Sequence, residues 1–238
     1  MKKINTTFRS EAAELMDDFQ LEGEELKEAL DKIAKINQLL GGNKLTLHGV
    51  SLLLKKVSKS TAVTIADVGC GNGDMLRYIA DFGVKNNLNL KLIGIDANAF
   101  TIKHAQSLSH KYNNIEYVTE NIFDKPFIEL KYDIILSTLT LHHFKEKEII
   151  YLMSVFYKNA AIGIVINDLH RSKLAYRLFE VVCSIFNLNK MSREDGLTSI
   201  LRGFKKPELV NYSNQLNFKK YTLFWKWAFR FEWIIYKT

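Results

Sequence analysis

Leucine and isoleucine recur every three or four positions in the first part of the chain, which is the spacing of one face of a helix. The pattern predicts a helix over 10–40 and a shorter one over 45–57. The pair Gly41-Gly42 separates them, because glycine readily adopts the left-handed conformation that ends helices. A doubly wound sheet opens with a strand, so we interpret residues 1–60 as an N-terminal helical extension that acts as a lid.

From residue 62 the pattern changes to short apolar runs that alternate with amphipathic segments. Continuous apolar runs are typical of parallel strands that are covered on both faces. Their alternation with helical segments predicts an α/β fold of βαβ units with right-handed crossovers. The predicted strands are AVTIADVG, LKLIGIDA, IEYVTE, YDIILSTLT and AAIGIVIND, and the predicted helices lie at 74–86, 99–110 and 146–157.

The alternation is interrupted after Asp168. A helix that is apolar around much of its circumference is predicted over 172–187, followed by the polar link NKMSREDGLTS and a helix over 206–214. The chain then closes with two strand-like runs rich in aromatic residues, FKKYTLFWKW and FRFEWIIYKT, which we expect to form a hairpin. We therefore expect a helical insertion over about 170–215.

Composition and charge narrow the class of protein without fixing it. Hydrophobic residues make up 47% of the 238 residues, enough for a sizeable core, and no apolar run approaches the roughly 20 residues that span a bilayer. The start of the chain has no apolar stretch typical of a secretory signal, and the two cysteines form no metal or disulfide pattern, so we expect a cytoplasmic protein without membrane insertion. Whether it forms a homodimer is left open.

Positive charge is concentrated in the last part of the chain. Residues 1–144 carry 17 Lys and Arg against 18 Asp and Glu, whereas residues 145–238 carry 16 against 8. Such an excess attracts anionic substrates, headgroups or nucleic acid. The lysines are scattered, however, which is equally typical of an ordinary solvated surface.

The stretch TIADVGCGNGDML places three glycines, Gly69, Gly71 and Gly73, directly behind the first predicted strand. A glycine turn between a strand and a helix leaves backbone amides uncovered and brings the backbone close to a ligand. Asp67 and Asp74 flank the turn, and two carboxylates would repel a pyrophosphate. The pattern therefore favours a cationic or zwitterionic ligand over a dinucleotide, with a purely structural turn as the alternative.

Two further polar residues follow the next two strands. Asp96 ends the second strand, where a carboxylate can accept both hydroxyl protons of a ribose. Asn121 follows the third strand, where an amide can meet an adenine amino group while Ile122 packs against the ring. Asn121 alone is a weak signal, because asparagine is common after strands.

In order and spacing, DVGCGNGD, GIDAN, TENIF and YDIILSTLTLHHF resemble the motifs of class I S-adenosylmethionine-dependent methyltransferases over roughly residues 62–168. The resemblance implies a Rossmann-like, seven-stranded, mostly parallel sheet with an antiparallel terminal strand, formed by a methyltransferase domain over 61–238. It also implies S-adenosyl-L-methionine as cofactor, with S-adenosyl-L-homocysteine as product. Carried over residue by residue, it assigns Asp67, Gly69, Gly71 and Gly73 to the methionyl end, Asp96 to the ribose, Asn121 and Ile122 to the adenine, and Ser137, Thr138 and Leu139 to the region near the methyl group. It also implies that Cys70, Asn72 and Ala97 bind the cofactor.

Other stretches, such as NDLHRSKLAY and DGLTSILRGF, resemble a bacterial subgroup that acts on small aromatic, polyketide or quinone-like products. The implied reaction is O- or C-methylation of a small hydrophobic acceptor. The aromatic residues of the helical insertion fit such an acceptor, although packing in the core would explain them as well.

Deprotonating an acceptor requires a base beyond the carboxyl ends of strands four and five, where ligands gather in open α/β sheets. His142 and His143 follow strand four, and Asp168, His170 and Arg171 follow strand five. Histidine titrates near neutrality, so we expect His142 or His143, ahead of His170, to act as base and Asp168 to orient it. Arg171 could hold an acidic group of the substrate, or Asp168 and Arg171 could simply start the next helix. The histidine and acidic residues of the sequence do not have the spacing typical of metal ligands, so we expect no metal.

Three other functions remain open at this stage. An RNA methyltransferase fits the basic last part of the chain, but STLTLHH replaces the proline-rich signature used on exocyclic amines, and no RNA-binding module is visible. Nucleic acid is therefore not the expected partner. A nicotinamide-dependent oxidoreductase rests on the glycine turn alone, and a cofactor-binding protein without catalysis would have the same motifs.

Overall fold

A computed structural model of the chain describes residues 4–237, apart from the side chains of residues 125 and 126. In this part of the chain nine α-helices surround one seven-stranded sheet. The strands are β1 (Val63–Val68), β2 (Leu90–Asp96), β3 (Ile115–Thr119), β4 (Tyr132–Thr138), β5 (Ala160–Leu169), β6 (Tyr221–Lys226) and β7 (Arg230–Tyr236). The helices are α1 (Glu24–Leu39), α2 (Gly42–Leu54), α3 (Asp74–Asn86), α4 (Ala99–Leu108), α5 (Lys125–Glu129), α6 (Glu146–Asn159), α7 (Lys173–Ile185), α8 (Lys190–Arg202) and α9 (Lys206–Gln215).

The strand order is β3-β2-β1-β4-β5-β7-β6, and the first five strands are parallel. β7 pairs antiparallel with both β5 and β6, so the aromatic runs at the end of the chain form the expected hairpin. The order reverses direction at β1, which is where open α/β sheets bind ligands. The predicted fold class, with its antiparallel terminal strand, is confirmed.

Both faces of the sheet are covered, which explains the continuous apolar runs of the parallel strands. One core lies between the sheet and helices α5, α6 and α9 and includes Phe156 and Trp233. The other lies beneath α2 and α3 and includes Val50, Ile65 and Ile79. Because Val50 belongs to α2, this helix of the predicted extension packs directly on the sheet.

Two predictions about secondary structure are wrong. The helix expected over 10–40 begins only at Glu24, after Gly23 at φ +105°, and a 3₁₀ turn at Leu15–Asp17 precedes it. The backbone amides of Leu15 and Met16 donate to the Asp195 carboxylate (2.7 and 2.9 Å), so a tertiary contact holds the turn. The polar link is helix α8, capped by the Asn189 side chain, and its buried face contacts α1 and α7.

Within residues 4–237, none of the helices combines the length and the apolar character needed to cross a lipid bilayer.

Candidate active site

A cavity of about 1960 Å³ opens at the carboxyl edge of the parallel strands. Ordinary small-molecule sites measure roughly 300–1,000 Å³, so this one has room for two ligands side by side. The loops after β1 to β5 form its floor, and residues 8–19, α1, α7, α8 and the β6–β7 turn close over it. Of the predicted site residues, the wall includes Asp67, Gly69, Cys70, Gly71, Asn72, Asp96, Ala97, Asn121, Ile122, Thr138, Leu139, His142, His143 and His170.

Three of the residues predicted to bind the cofactor or to form the base do not line the cavity. Gly73 is the residue before α3 and packs against Tyr117, and Ser137 is buried in the sheet. Asp168 lies behind His142, where it contacts the site only through that side chain. Direct contact of Gly73 or Ser137 with a ligand is therefore not supported by the geometry.

The turn after β1 requires glycine at two positions for different reasons. Gly69 adopts φ +72°, and a Cβ there would collide with the Thr140 side chain. Gly71 adopts φ +53°, and a Cβ there would point into open space, with its nearest neighbour, a Leu30 methyl, 3.8 Å away. A side chain at either position would strain the turn or fill the cavity at the strand switch point.

Asp67 ends β1 with a buried carboxylate that lacks a partner. Its Oδ1 accepts no hydrogen bond from any described residue, although the side chain lines the cavity. Burial, together with the carboxylates of Asp74 and Asp96, raises the pKa of Asp67 to about 8. An unpaired buried acceptor of this kind is stabilised by a cationic ligand.

Asp96 is held in place by the glycine turn. Its Oδ2 accepts from the Gly71 amide (3.2 Å) and its Oδ1 from the Asn98 amide (3.0 Å). Burial raises its pKa above the ordinary value, although these amides and His143 oppose the shift. The two backbone bonds fix the carboxylate at the cavity wall and leave lone pairs on both oxygens for a hydroxyl pair.

Asn72 and Asn121 line the wall but already make local hydrogen bonds. The Asn72 amide donates to Asp31 of α1 (2.8 Å), which ties the glycine turn to the N-terminal helix. Asn121 accepts from the Phe123 amide (3.0 Å) and so shapes the loop after β3, beside buried Ile122. Both side chains retain groups that could contact a ligand.

His142 and Asp168 form a buried dyad where β4 and β5 end. Asp168 Oδ1 lies 2.7 Å from His142 Nδ1, and Oδ2 accepts from the His142 amide (3.2 Å). Burial raises the pKa of Asp168, but His142 and the Leu169 amide outweigh it and hold that pKa below its ordinary value. An ionised carboxylate only accepts, so Nδ1 carries the proton and the Nε2 lone pair is free. Nε2 is buried, and no described residue bonds to it.

The N-terminal segment brings two acids to the histidines. Asp17 Oδ1 lies 2.6 Å from His143 Nδ1, and Glu14 Oε1 lies 3.8 Å from His142 Nε2. Burial raises the pKa of Glu14 to about 7, against the opposing effect of His143. Glu14, His142 and His143 each offer a ligand atom within 4.8 Å of the others, which is a spacing that could hold a metal ion. Arg202 Nη1, however, already lies 3.6 Å from the same Glu14 oxygen.

Two arginines fix the loop that carries the histidines. Arg9 donates to the carbonyls of His142 (2.7 Å) and Phe144 (3.0 Å). Arg202 donates to the carbonyls of His142 and His143 and to Asp17 (2.6 Å). The loop therefore has a position set from both the N-terminal segment and α8.

His170 and Arg171 do not join the dyad. His170 lines the cavity, but its Nδ1 accepts from the Trp225 indole (3.1 Å), and burial and the nearby Lys205 and Arg171 lower its pKa. Arg171 is fully buried and donates to Glu208 (2.6 Å) and to backbone carbonyls. Its hydrogen bonds are thus used within the fold, and it does not line the cavity, so it is not available to hold a substrate.

The sequence alone did not point to several residues of the wall. Four of them lie far along the chain from the histidines they contact: Arg9, Glu14, Asp17 and Arg202. Arg202 falls within the stretch DGLTSILRGF, but the resemblance of that stretch assigns it no role. Arg230, at the start of β7, also lines the cavity. Only the position of Arg230 at the end of a predicted hairpin could have drawn attention to it.

Comparison with known proteins places the chain in a family. Residues 59–214 match a protein-family model described as "Methyltransferase domain", which is well over half of the chain. The plantazolicin methyltransferase BpumL, solved with S-adenosylhomocysteine, has the same fold at a TM-score of 0.64 and 18% identity, over 90% of this chain and 96% of that one.

Two curated relatives match over shorter stretches. Protein 235L of Invertebrate iridescent virus 6 is 36% identical over 33% of this chain, and the non-reducing polyketide synthase esdpA of Penicillium shearii is 29% identical over 35% of it. The matched stretches span 26% and 4% of the lengths of these relatives. The family match and the topology of the sheet agree with the motifs of the sequence. The chain therefore belongs to the methyltransferase-domain family and is an S-adenosylmethionine-dependent methyltransferase with the class I fold.

Proposed function

We propose that this enzyme methylates oxygen or carbon of a small hydrophobic acceptor, and that His142, oriented by Asp168, removes the acceptor's proton. The observation that carries the proposal is the buried dyad: His142 lines the cavity, its Nδ1 faces a carboxylate, and its Nε2 has no hydrogen-bond partner among the described residues. This arrangement fixes the tautomer that a general base needs.

The residues of the β1–β2 end fit the cofactor. Asp67 offers a buried, unpaired carboxylate suited to the ammonium group of a methionyl tail, and Asp96 offers two oxygens to a ribose. Asn121 and Ile122 lie where an adenine would be expected from the order of the loops. When bound, S-adenosylmethionine supplies an electrophilic methyl group next to a sulfonium.

The remaining part of the cavity suits an apolar acceptor. Phe8, Phe19, Leu178, Phe179 and Val182 contribute to its wall. Such a lining excludes water and aligns a flat molecule, and alignment alone contributes up to about 7–11 kcal/mol in favourable cases. The names of two relatives, a plantazolicin methyltransferase and a polyketide synthase, support an acceptor from this class.

We further propose that residues 1–60 act as a lid over this acceptor. Arg9 contacts the histidine loop and Glu14 faces the free nitrogen of His142, so the N-terminal segment completes the site.

We assign the enzyme to the cytoplasm, where reducing conditions keep its two buried free cysteines as thiols.

The test is transfer of a labelled methyl group to a panel of phenols, naphthols and 1,3-dicarbonyl compounds, with bulk RNA as the comparison. We expect label in the small molecules, and we expect His142→Gln to abolish most of it while calorimetric affinity for S-adenosylhomocysteine is unchanged. His110→Gln is the matched control, because His110 is exposed and does not line the cavity. Label in RNA with steep salt dependence, or full activity of His142→Gln, would contradict the proposal.

A further inference from the structure

Arg230 is a buried cation without a hydrogen-bonding partner in the part of the chain that the structure describes. Its side chain is at the cavity wall, and the residue is only 4% exposed. Neither Nε nor Nη1 bonds to any residue in the described range 4–237. By contrast, the equally buried Arg171 is bonded to Glu208 and to carbonyls on all sides.

A charge in this position is costly unless something pairs with it. Burial lowers the pKa of Arg230 to about 10, with Asp168 opposing the shift, so the guanidinium is charged at neutral pH. Asp168 is not its partner, because both oxygens of that carboxylate are bonded to His142 and the Leu169 amide. The fold alone therefore leaves the guanidinium unsatisfied.

The surroundings of Arg230 are basic. Arg230 also lines a second, smaller pocket of about 300 Å³, together with Lys44, His48 and Lys226. The acid next to this pocket, buried Glu232, lies 2.6 Å from His48 Nδ1 and forms an ion pair with Lys226 (3.2 Å), whereas no ion pair joins it to Arg230 within residues 4–237. The local excess of positive charge favours an anion.

The turn that presents Arg230 is strained. Between Lys226 and Arg230, which pair across the hairpin, Ala228 and Phe229 both adopt positive φ, at 59° and 54°. This conformation is unfavourable for a bulky side chain such as phenylalanine, and such strain concentrates at ligand sites. The Phe229 carbonyl accepts from the His170 amide (2.8 Å), which holds the turn against the end of β5.

Arg230 lies on the far side of the dyad from the cofactor end. Asp67 on β1 is in register with Leu136 on β4, Val165 on β5 and Ile234 on β7. Three strand spacings separate β1 from β7, or about 14 Å across the sheet. The order along the carboxyl edge is therefore cofactor residues, then His142 and Asp168, then Arg230.

We propose that Arg230 is a specificity-determining residue that binds a carboxylate or similar oxyanion carried by the methyl acceptor. The inference rests on the proposed function, since it places the acceptor beyond the dyad. It assigns to Arg230 the role that the sequence suggested for Arg171. A guanidinium pairs with a planar carboxylate through parallel hydrogen bonds, which gives both affinity and orientation.

The test compares 4-hydroxybenzoate with its methyl ester, which share a ring and hydroxyl but differ in charge. Their affinities are measured by calorimetry for the wild type, Arg230→Met and the control Lys219→Met, with and without S-adenosylhomocysteine. Lys219 is exposed and lies in the same hairpin region, so its loss matches the change in net charge. We expect the wild type and Lys219→Met to bind the acid at least tenfold more tightly than the ester. For Arg230→Met we expect the two affinities to agree within twofold. Equal affinities in the wild type, or an unchanged preference in Arg230→Met, would overturn the proposal.

A second arm separates the acceptor's anion from the cofactor's own carboxylate. Arg230→Met is expected to bind S-adenosylhomocysteine as the wild type does. If it binds this molecule at least tenfold more weakly but binds 5′-methylthioadenosine normally, Arg230 holds the methionyl carboxylate and the assignment to the acceptor is wrong. Failure of the wild type to bind S-adenosylhomocysteine would instead count against the proposed function, whatever the result with the two benzoates.

Thermal unfolding of the unliganded protein is an independent readout. Removing an unpaired buried charge relieves its desolvation, so Arg230→Met should melt several degrees above the wild type. A guanidinium that is paired within the fold would give the opposite shift. A lower melting temperature for Arg230→Met would thus contradict the absence of an internal partner.

Discussion

The two ends of the cavity are built in different ways. At the cofactor end, each predicted residue belongs to a short motif at the end of one strand, and the backbone of the glycine turn itself forms the wall. At the acceptor end, the histidine loop is held by Arg9 and Arg202 and faced by Glu14, three residues from two distant stretches of the chain. A site made of backbone leaves a motif in the sequence, whereas a site made of long-range side-chain contacts does not.

The charges of the two ends also differ. The carboxylates of Asp67 and Asp96 face the cofactor end, and Asp67 has no partner among the described residues. At the acceptor end, Asp168 and Asp17 are paired with His142 and His143, and the guanidinium of Arg230 is buried with no hydrogen-bond partner among residues 4–237. The first end therefore suits a cationic ligand group and the second an anionic one.

The largest expected effect comes from separating Asp168 from His142. Asp168→Asn keeps the size of the side chain but no longer requires Nδ1 of His142 to carry the proton. We expect turnover to fall by about 10²–10⁴-fold, the usual contribution of a general base, while the affinity for S-adenosylhomocysteine stays the same. The measurement is the rate of labelled methyl transfer at saturating cofactor.

A conservative variant separates this positioning role from a merely structural one. Asp168→Glu keeps a carboxylate for His142 Nδ1, so it should recover part of the turnover that Asp168→Asn loses. Equal losses of turnover in the two variants would mean that Asp168 supports only the local fold.

The next effect belongs to the cofactor end. Asp96→Ala removes a carboxylate acceptor that the Gly71 and Asn98 amides hold in place. We expect affinity for S-adenosylhomocysteine to fall by about 2–3 kcal/mol, or roughly 30- to 150-fold in Kd. Asp96→Asn should lose less, because its amide oxygen still accepts one hydrogen bond. Unchanged affinity of Asp96→Ala would remove this residue from the site.

Local pattern predicted most of the fold, and the same distinction between local and long-range contacts explains the failures. The strands, the crossover helices and the final hairpin have strong periodicity, and their boundaries agree with the sequence to within a few residues. The prediction is wrong for the segment before Gly23, because a contact with Asp195 fixes its conformation. It is also wrong for helix α8, because this helix buries only a narrow apolar face that includes Met191 and Ile200. In the same way, Arg171 has a plausible position after β5, but a tertiary pair with Glu208 decides its role.

A smaller effect is expected on thermal stability when Asp67, the unpaired acid of the cofactor end, is replaced by a neutral side chain. The pKa of Asp67 rises from 3.8 to about 8, so the folded protein retains a proton that the unfolded chain releases. The contribution of Asp67 to the stability of the folded protein is therefore present below about pH 4 and is lost as the pH rises to about 8. Asp67→Asn should melt several degrees above the unliganded wild type at pH 8–9, and the difference should shrink towards pH 4. A difference that does not vary with pH would show that Asp67 is paired.

The smallest effect, and the sharpest test of the comparison, concerns Glu14 at the acceptor end. Its pKa also rises, from 4.5 to about 7, because of burial, but Ser199 and Arg202 lie close enough to oppose the shift. Glu14→Gln keeps an acceptor for the Ser199 hydroxyl. Because the pKa of Glu14 is raised in the folded protein, the melting temperature of this variant should exceed that of the wild type only above about pH 5. The difference should grow until about pH 7 and then stay constant. Exposed Glu11→Gln should show no such window. Neutralising a partly compensated acid stabilises the protein less than neutralising an unpaired one. The constant rise in melting temperature reached at high pH should therefore be smaller for Glu14→Gln than for Asp67→Asn. The reverse order would mean that the acceptor end, not the cofactor end, carries the less compensated negative charge.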